Sequence, residues 1–383
     1  MNPNQEVVRR RPVIRVFVSS TFADLKHERD ALQQVVYPKL ERLCASRGFQ
    51  FQAIDLRWGV PTEASLDHRT MRICFEELRR SQLISPEPNF LILLGNRYGW
   101  RPLPEEISKD EYEILERAAV QISAKDTLLQ WYLEDKNALP RPVYILQPRT
   151  EDYTSDPVWN EVQIALWRVI NLAFPADQLA GRFEYPMTLD SPLPSIVRFQ
   201  TSATEQEIWR GAFAVPNAGE HVLAFVREID NGAEFSQENQ VFVDADQKPL
   251  QELKATLTKH LGEKNVIAFE QVRLHRSTNE KGAPIVDVTT EHLTEMCNRV
   301  YNALETIIEP QIKAYWGGAP SNASRIARER EIENDEHRRF GLERAPEASF
   351  VGRDEERPDR GFVVLGGIVV VVDRAGVEIQ ASS

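Results

Sequence analysis

Cysteines and closely spaced metal-binding residues are scarce in this sequence. Only three cysteines occur among 383 residues, and Cys44, Cys74 and Cys297 stand far apart. This spacing excludes a CxxC zinc knuckle, and an odd, sparse count is typical of a reducing compartment rather than of a disulfide-stapled secreted domain. The seven histidines form no HxxxH or HExxH pair. The sequence therefore predicts no metal site.

The sequence also lacks a long hydrophobic run and an excess of positive charge. Its most apolar run, residues 361–372, has 12 residues, fewer than the ~20 that span a bilayer. The N-terminus, MNPNQEVVRRRP, has no apolar core of a secretory signal. The 46 Lys and Arg against 58 Asp and Glu give a net charge of −12, which argues against nucleic-acid and anionic-membrane partners. We expect a soluble, cytoplasmic protein.

Five apolar, β-branched runs alternate with helical patterns. The predicted strands cover residues 13–20, 49–59, 88–100, 221–229 and 265–275. The predicted helices cover residues 21–48, 67–82, 201–213, 249–262 and 289–316. Strands that are apolar on both sides and alternate with helices indicate a parallel sheet covered on both faces. The sequence predicts an α/β fold with a doubly wound, five-stranded parallel sheet, and we favour the flavodoxin-like strand order.

The alternation is interrupted once and ends before the C-terminus. Residues 101–200 hold two helical patterns, many prolines and several tryptophans, which predicts a large, mostly helical insertion. We expect one α/β domain over residues 12–316. A charged linker is expected over residues 317–348, followed by a different, poorly ordered segment over residues 349–383.

Small polar residues end the first predicted strand, at Ser19, Ser20 and Thr21. Ligands of open α/β sheets bind at the carboxyl ends of strands, and free N–H groups at the start of the next helix favour an anion. The alternative is that Ser20 or Thr21 only caps that helix. The two roles are compatible, so both stay open.

The second predicted strand ends in Asp55, Arg57 and Trp58. An acid at this position can accept hydrogen bonds from a ribose, an arginine can hold a phosphate, and a tryptophan can stack on a base or nicotinamide ring. In the alternative interpretation, Asp55 and Arg57 pair with each other or with Arg97, and Trp58 packs under the insertion.

The third predicted strand ends in Arg97 and Tyr98, which lie between Gly95 and Gly99. Two glycines around an arginine indicate a tight turn with a close backbone approach. Since parallel strands share one carboxyl edge, this turn points to the same cleft, and Arg97 and Tyr98 are further candidates for nucleotide binding.

Six segments occur in an order that resembles a known family. They are VFVSSTFADLKHERDAL, IDLRWGV, ICFEEL, FLILLGNRYGW, SATEQEI and HVLAFVREI. Together they resemble the TIR-like domain of unknown function that begins many NACHT- and WD-repeat proteins, among them the nephrocystin and telomerase-associated families. The resemblance covers roughly residues 12–316. It implies a flavodoxin-like fold, and self-association or contact with other signalling proteins.

The same resemblance adds a candidate catalytic glutamate. TIR enzymes that cleave NAD use a helix glutamate that faces the strand-end cleft, and Glu205 or Glu207 would be its equivalent. Two residues apart on a helix, they lie ~200° apart, so both cannot face the cleft. The alternative is a capping box, Ser202 with Glu205 or Thr204 with Glu207. The Trp-Cys-x-x-Glu phrase of TIR enzymes is missing here.

A phrase near the C-terminus, Ser349–Arg353, resembles the opening of a NACHT NTPase. An NTPase would supply GxxxxGK[ST] soon afterwards to hold phosphate, and this chain contains no such motif. We therefore expect no ATPase activity and a chain truncated or frameshifted before its NTPase. The function expected first is an N-terminal effector or interaction module of a NACHT/STAND-type signalling protein. The alternative is a nucleosidase with NAD as its substrate, and no cofactor is otherwise expected.

Overall fold

The computed structural model describes most of the chain up to residue 317 and three strands beyond it. The described ranges are 12–56, 66, 68–85, 87–138, 141–185, 192–235, 241–278, 282 and 284–317, with the backbone of 360–365, 368–373 and 376–381. The chain divides into two compact units, Met1–Lys313 and Ala314–Ser383.

A five-stranded parallel sheet forms the centre of the first unit. Its strands are β1 (Val13–Ser20), β2 (Gln50–Asp55), β3 (Phe90–Leu94), β7 (Val222–Ile229) and β8 (Val266–Val272). Their spatial order is β2-β1-β3-β7-β8, with every neighbouring pair parallel. This is the flavodoxin order, so the predicted fold class and strand order are confirmed.

Successive residues of β1 point to opposite faces of the sheet, and both faces are buried. Val16 and Val18 belong to one hydrophobic cluster, and Phe17 between them belongs to the other. The Val16 face packs against α1 (Lys26–Ala31), α2 (Tyr37–Ser46) and α11 (Leu293–Gly317), and the Phe17 face packs against α3 (Thr70–Ile84), α8 (Ala203–Ile208) and α10 (Lys248–Leu261). Because helices cover both faces of the sheet, its strands are rich in apolar residues on both sides.

Glycines end two of the predicted helices where the sequence placed them. Gly48 follows α2 with a φ of 80°, and Gly262 follows α10 with a φ of 77°. A left-handed backbone is strained for other residues, which makes glycine the ordinary helix stop. A π turn at Leu32–Val36 joins α1 to α2, so the predicted helix 21–48 begins later, at Lys26, and contains one wide turn.

The insertion is mostly helical and also holds a small sheet that the sequence analysis did not predict. Its helices are α4 (Lys109–Gln121), α5 (Lys125–Trp131), α6 (Asp156–Ala173) and α7 (Ser195–Gln200). Strands β4 (Glu106–Ser108), β5 (Tyr132–Asp135) and β6 (Val143–Leu146) pair antiparallel in the order β4-β6-β5. Runs of three or four residues are too short for a periodicity argument to detect.

Two further elements complete the described part of the chain. The predicted strand 265–275 is divided: β8 stays in the main sheet, while β9 (Leu274–Thr278) pairs antiparallel with β10 (Pro284–Val288). The short helix α9 (Ala218–His221) leads into β7. In the second unit, β11 (Arg360–Leu365), β12 (Ile368–Asp373) and β13 (Gly376–Ala381) form an antiparallel sheet.

Among the described residues, no helix is both long enough and apolar enough to cross a bilayer.

Candidate functional site at the carboxyl edge of the sheet

The fold brings most of the predicted site residues to one edge of the central sheet. Ser19 and Ser20 end β1, and Asp55 ends β2. Arg97 and Tyr98 follow β3, while Glu205 and Glu207 lie on α8. Two further predicted residues, Arg57 and Trp58, lie outside the described residues.

Glu207 lies against the end of the first strand. Its carboxylate accepts a hydrogen bond from the Ser19 hydroxyl and also interacts with the Cys74 thiol. Burial raises the pKa of Glu207, and the hydrogen bonds from Ser19 and Cys74 oppose that rise only in part. Burial and the neighbouring Glu207 in turn raise the pKa of the Cys74 thiol, which makes it a poor nucleophile.

Glu205 points to a different cluster, as its two-residue offset from Glu207 requires. Arg182 Nε donates to Glu205 Oε1 at 2.6 Å, and the Tyr98 hydroxyl donates to Oε2 at 2.7 Å. Trp209 Nε1 is 3.4 Å from Oε1. Burial raises the pKa of Glu205, against the opposing charge of Arg182, and burial with the nearby carboxylate raises the pKa of Tyr98.

Arg182 enters this cluster from the insertion, on the 3₁₀ segment Ala176–Glu184. Its side chain is fully buried, and Nη1 donates at 2.8 Å both to Glu252 Oε2 on α10 and to a backbone carbonyl. The arginine thus joins the insertion, α8 and α10. Its guanidinium is committed to these partners and does not face solvent.

Ser20 and Asp55 share a buried arginine. Arg29, on α1, donates Nε to Asp55 Oδ2 at 2.9 Å and makes two further bonds, to Asp55 and to the Ser20 hydroxyl. Its side chain is fully buried under the exposed ring of Phe22. Asp55 therefore pairs with Arg29, rather than with Arg97 as one alternative had it.

Neither Ser20 nor Thr21 caps the following helix. That helix, α1, begins at Lys26, and the residue at its N-cap position is Leu25, which makes no side-chain hydrogen bond. The capping interpretation of these two residues is therefore wrong. At α8, by contrast, Ser202 is the cap: its hydroxyl accepts from the Glu205 backbone N–H at 3.2 Å. The Glu205 carboxylate goes to Arg182 and Tyr98 instead of completing a capping box.

The turn after β3 packs tightly against the turn after β1. Arg97 Nε donates to Asp244 Oδ1 at 3.2 Å, and the Tyr98 backbone N–H donates to Oδ2 at 2.7 Å. Gly99 has a φ of 95°, and a Cβ there would lie 2.7 Å from the Thr21 methyl. The two turns approach this closely only because residue 99 is a glycine.

A second group of buried charges lies beside these turns. Arg227, on β7, donates Nη1 to Glu28 Oε1 at 2.8 Å, and its Nη2 is 3.6 Å from Asp24 Oδ2. His292 Nε2 lies 3.0 Å from Glu28 Oε1. Burial raises the pKa of Asp24. At Glu28, burial acts upward, but Arg227 and His292 together hold its pKa below the ordinary value. A Cβ on Gly95 would lie 2.5 Å from Asp24 Oδ2, so the close approach also requires glycine here.

These contacts define what the carboxyl edge can do chemically. The arginines that could hold a phosphate, Arg29 and Arg182, are fully buried in ion pairs. Arg97, about a third exposed, is paired with Asp244. Glu207 has a hydroxyl and a thiol as its hydrogen-bond partners and retains a raised pKa, which is the property of a general acid. Glu207 is buried, so a nucleotide could reach it only after the residues around it move apart.

Comparisons with known proteins match part of the first unit. Residues 15–148 match the model of a "Domain of unknown function (DUF4062)". Over 123 residues, 32% of this chain, the sequence is 41% identical to mouse "NACHT domain- and WD repeat-containing protein 1". Over 140 residues it is 36% identical to human "NACHT and WD repeat domain-containing protein 2", and over 89 residues 40% identical to rat "Telomerase protein component 1".

These matches are short compared with the relatives themselves. They span 8% of each NACHT- and WD-repeat protein and 3% of the telomerase component. The matched family segment, 15–148, contains β1, β2 and β3, whereas β7 and β8 of the same sheet lie beyond it. No solved structure matches the chain.

Four charged residues at this edge were not predicted from the sequence. Arg29, Arg182, Asp244 and Arg227 each pair with a charged residue at this edge. The charged pairs lie 23 to 199 positions apart in the chain, from Arg182 with Glu205 at 23 to Arg227 with Glu28 at 199. A single sequence gives no signal for such pairs, because neither periodicity nor local spacing encodes them.

Proposed function

We propose that residues 12–316 are an N-terminal signalling and interaction module of a NACHT-type protein, of the TIR-like kind. The carrying observation is that the charged candidates at the carboxyl edge are paired within the chain: Arg29 with Asp55, and Arg182 with Glu205. The cations at this edge are buried and already paired with carboxylates. Such an edge is better suited to form a protein-contact surface than to bind a phosphate. The names of the similar proteins mention a NACHT domain, which supports a place in a protein of that kind.

We infer that the contact surface is formed by the two turns at this edge. Phe22 and Trp100 are each 53% exposed, and each adjoins a residue of the close contact between Thr21 and Gly99. Exposed aromatic rings on two turns that contact each other are typical of an interaction site. The partner proposed first is a second copy of the chain. Residues 317–348 are proposed as the linker and 349–383 as the start of an NTPase segment.

Sedimentation velocity of the full chain over a wide concentration range tests this function. We expect self-association that grows with concentration, and Phe22→Ser and Trp100→Ser should weaken it. Leu172→Ser is the matched control, since Leu172 is 43% exposed on α6, outside these turns. A chain that stays monomeric throughout, or variants that associate like the wild type, would overturn the self-association proposal.

A second candidate function is cleavage of the glycosidic bond of NAD. It is favoured by one observation: Glu207 is buried beside Ser19 at the end of β1, with a raised pKa. A carboxylate there could hydrogen-bond ribose hydroxyls and stabilise the oxocarbenium character of the transition state. This function needs the residues that bury Glu207 to move apart, so that substrate can reach it.

The test of the second function is NAD consumption by the full chain under forced oligomerisation. Turnover that Glu207→Gln abolishes and that Glu263→Gln, a change at an exposed residue after α10, leaves intact would support it. NAD consumption by Glu205→Gln shows which of the two acids the turnover depends on. If no variant differs from a protein-free blank, this candidate is excluded.

A further inference from the structure

Three possible metal ligands converge at the other edge of the sheet, where the strands begin. Glu87 lies in the turn before β3, while Glu220 and His221 end α9 just before β7. The nearest ligand atoms of the three side chains all lie within 4.8 Å of one another. None of the three belongs to the candidate site at the carboxyl edge.

The two segments that carry these residues are held together by contacts outside the group. The Asn89 backbone N–H donates to the His221 carbonyl at 3.0 Å, which fixes the turn before β3 against the end of α9. From α11, Gln311 Nε2 donates to Glu87 Oε2. Metal-binding carboxylates are commonly oriented by such an outer hydrogen bond.

The two carboxylates of the group lie close together although both side chains have room to move apart. Glu220 is exposed and Glu87 is half-buried, so both could turn toward water. Two carboxylates that converge on one imidazole repel each other unless a positive charge lies between them. A bound cation would supply that charge.

We propose that Glu87, Glu220 and His221 form a binding site for one divalent transition-metal ion, Zn²⁺ being the best fit. Two carboxylate oxygens and one imidazole nitrogen match the ligands that Zn²⁺ takes, and three protein ligands leave a position for water. The imidazole disfavours Mg²⁺ and Ca²⁺, which prefer oxygen ligands alone. The ion would join the starts of β3 and β7. This proposal does not depend on the proposed function.

Calorimetric titration of the untagged full chain with ZnCl₂ tests the site, with MgCl₂ as the comparison. We expect one Zn²⁺ per chain, no binding of Mg²⁺, and a rise in melting temperature with Zn²⁺. His221→Ala and Glu87→Gln should each weaken binding more than about tenfold, and Gln311→Leu by roughly tenfold. Cobalt absorption spectra would report the coordination geometry.

Matched controls separate this site from adventitious binding. His275→Ala and Glu263→Gln change exposed residues elsewhere and should leave the affinity unchanged. Circular dichroism melting without metal shows whether each variant still folds. The proposal is overturned if millimolar Zn²⁺ does not bind, or if the His221 and Glu87 variants bind as tightly as the controls. It is also overturned if Zn²⁺ leaves the NMR signals of the His221 ring unchanged.

Discussion

Glu205 and Glu207 lie two residues apart on one buried helix, yet their surroundings differ in kind. Glu205 receives hydrogen bonds from Arg182, Tyr98 and Trp209, and one of these donors is a fully buried cation. Glu207 receives its bonds from the Ser19 hydroxyl and the Cys74 thiol, both neutral groups. Glu205 is held by a buried cation, whereas Glu207 is held only by neutral donors.

The difference has a physical consequence for each acid. A buried ion pair contributes little net stability, but the loss of one partner leaves an uncompensated charge and is costly. A buried acid with neutral partners stays protonated to a higher pH, so an amide can replace it with little loss. Burial raises the pKa of both acids, but at Glu205 the buried Arg182 is the strongest group opposing that rise, so we expect Glu207 to keep its proton to the higher pH.

The largest expected effect follows from removing the cation. Arg182→Met should lower the free energy of unfolding by about 3–5 kcal/mol, because Glu205 and Glu252 lose their shared partner in a buried place. Urea denaturation measures it. Arg273→Met is the control: Arg273 is 54% exposed in its ion pairs, so we expect a change of less than about 1 kcal/mol. Equal losses in the two variants would contradict a special role for Arg182.

The next effect compares the two acids directly. Glu205→Gln should cost about 2–3 kcal/mol, because hydrogen bonds to a charged partner are lost around Arg182. Glu207→Gln should cost less than about 1 kcal/mol, since the amide oxygen can still accept from Ser19. Both come from the same denaturation series. If the order is reversed, the comparison of the two clusters is wrong.

A pH series sharpens the comparison further. The pKa of Glu207 is raised in the folded chain above its ordinary value of 4.5, so its contribution to stability is complete below that pH. The contribution is lost as the pH rises through the folded pKa, with a slope of at most about 1.4 kcal/mol per pH unit. Stability of Glu207→Gln relative to wild type should therefore increase with pH. A difference that is flat from acid to alkaline pH would show that Glu207 does not titrate.

The last expected effect concerns the hydroxyl at the end of the first strand. Ser19→Ala removes one hydrogen bond to Glu207 and should cost about 1 kcal/mol. It should also raise the pKa of Glu207 further, because Ser19 is among the groups that oppose the rise. Carbon-13 NMR of the Glu207 carboxyl follows that pKa. An unchanged titration would mean that Ser19 does not bond to the acid.

The parts of the fold that the sequence predicted are those with local signals. β3 is an uninterrupted apolar run, β1 is apolar apart from Arg15 and its last two serines, and Gly48 and Gly262 end helices through their own backbone. From these the five-stranded sheet follows with its crossover rules. Strand β5 was missed because four residues at the end of a helix, Tyr132–Asp135, carry too little periodicity.

Only one feature of the candidate site could be predicted: residues that follow parallel strands lie at the same carboxyl edge of the sheet. Ser19, Asp55 and Tyr98 do lie at one edge, because parallel strands place their carboxyl ends together. Their partners could not be predicted: Arg182 belongs to the insertion, whose path over α8 is decided by packing rather than by spacing. The same holds for Glu87 and His221, which are 134 positions apart in the numbering and meet only in the folded chain.

The central claim is that the chain's own ion pairs close the carboxyl edge, which then serves protein contact. Equilibrium titration of the full wild-type chain with NAD, followed by calorimetry, tests this claim most directly. We expect no saturable binding, because Arg29 and Arg182 are buried with Asp55 and Glu205. Saturable binding of NAD that Glu207→Gln weakens would contradict the claim and favour the nucleosidase.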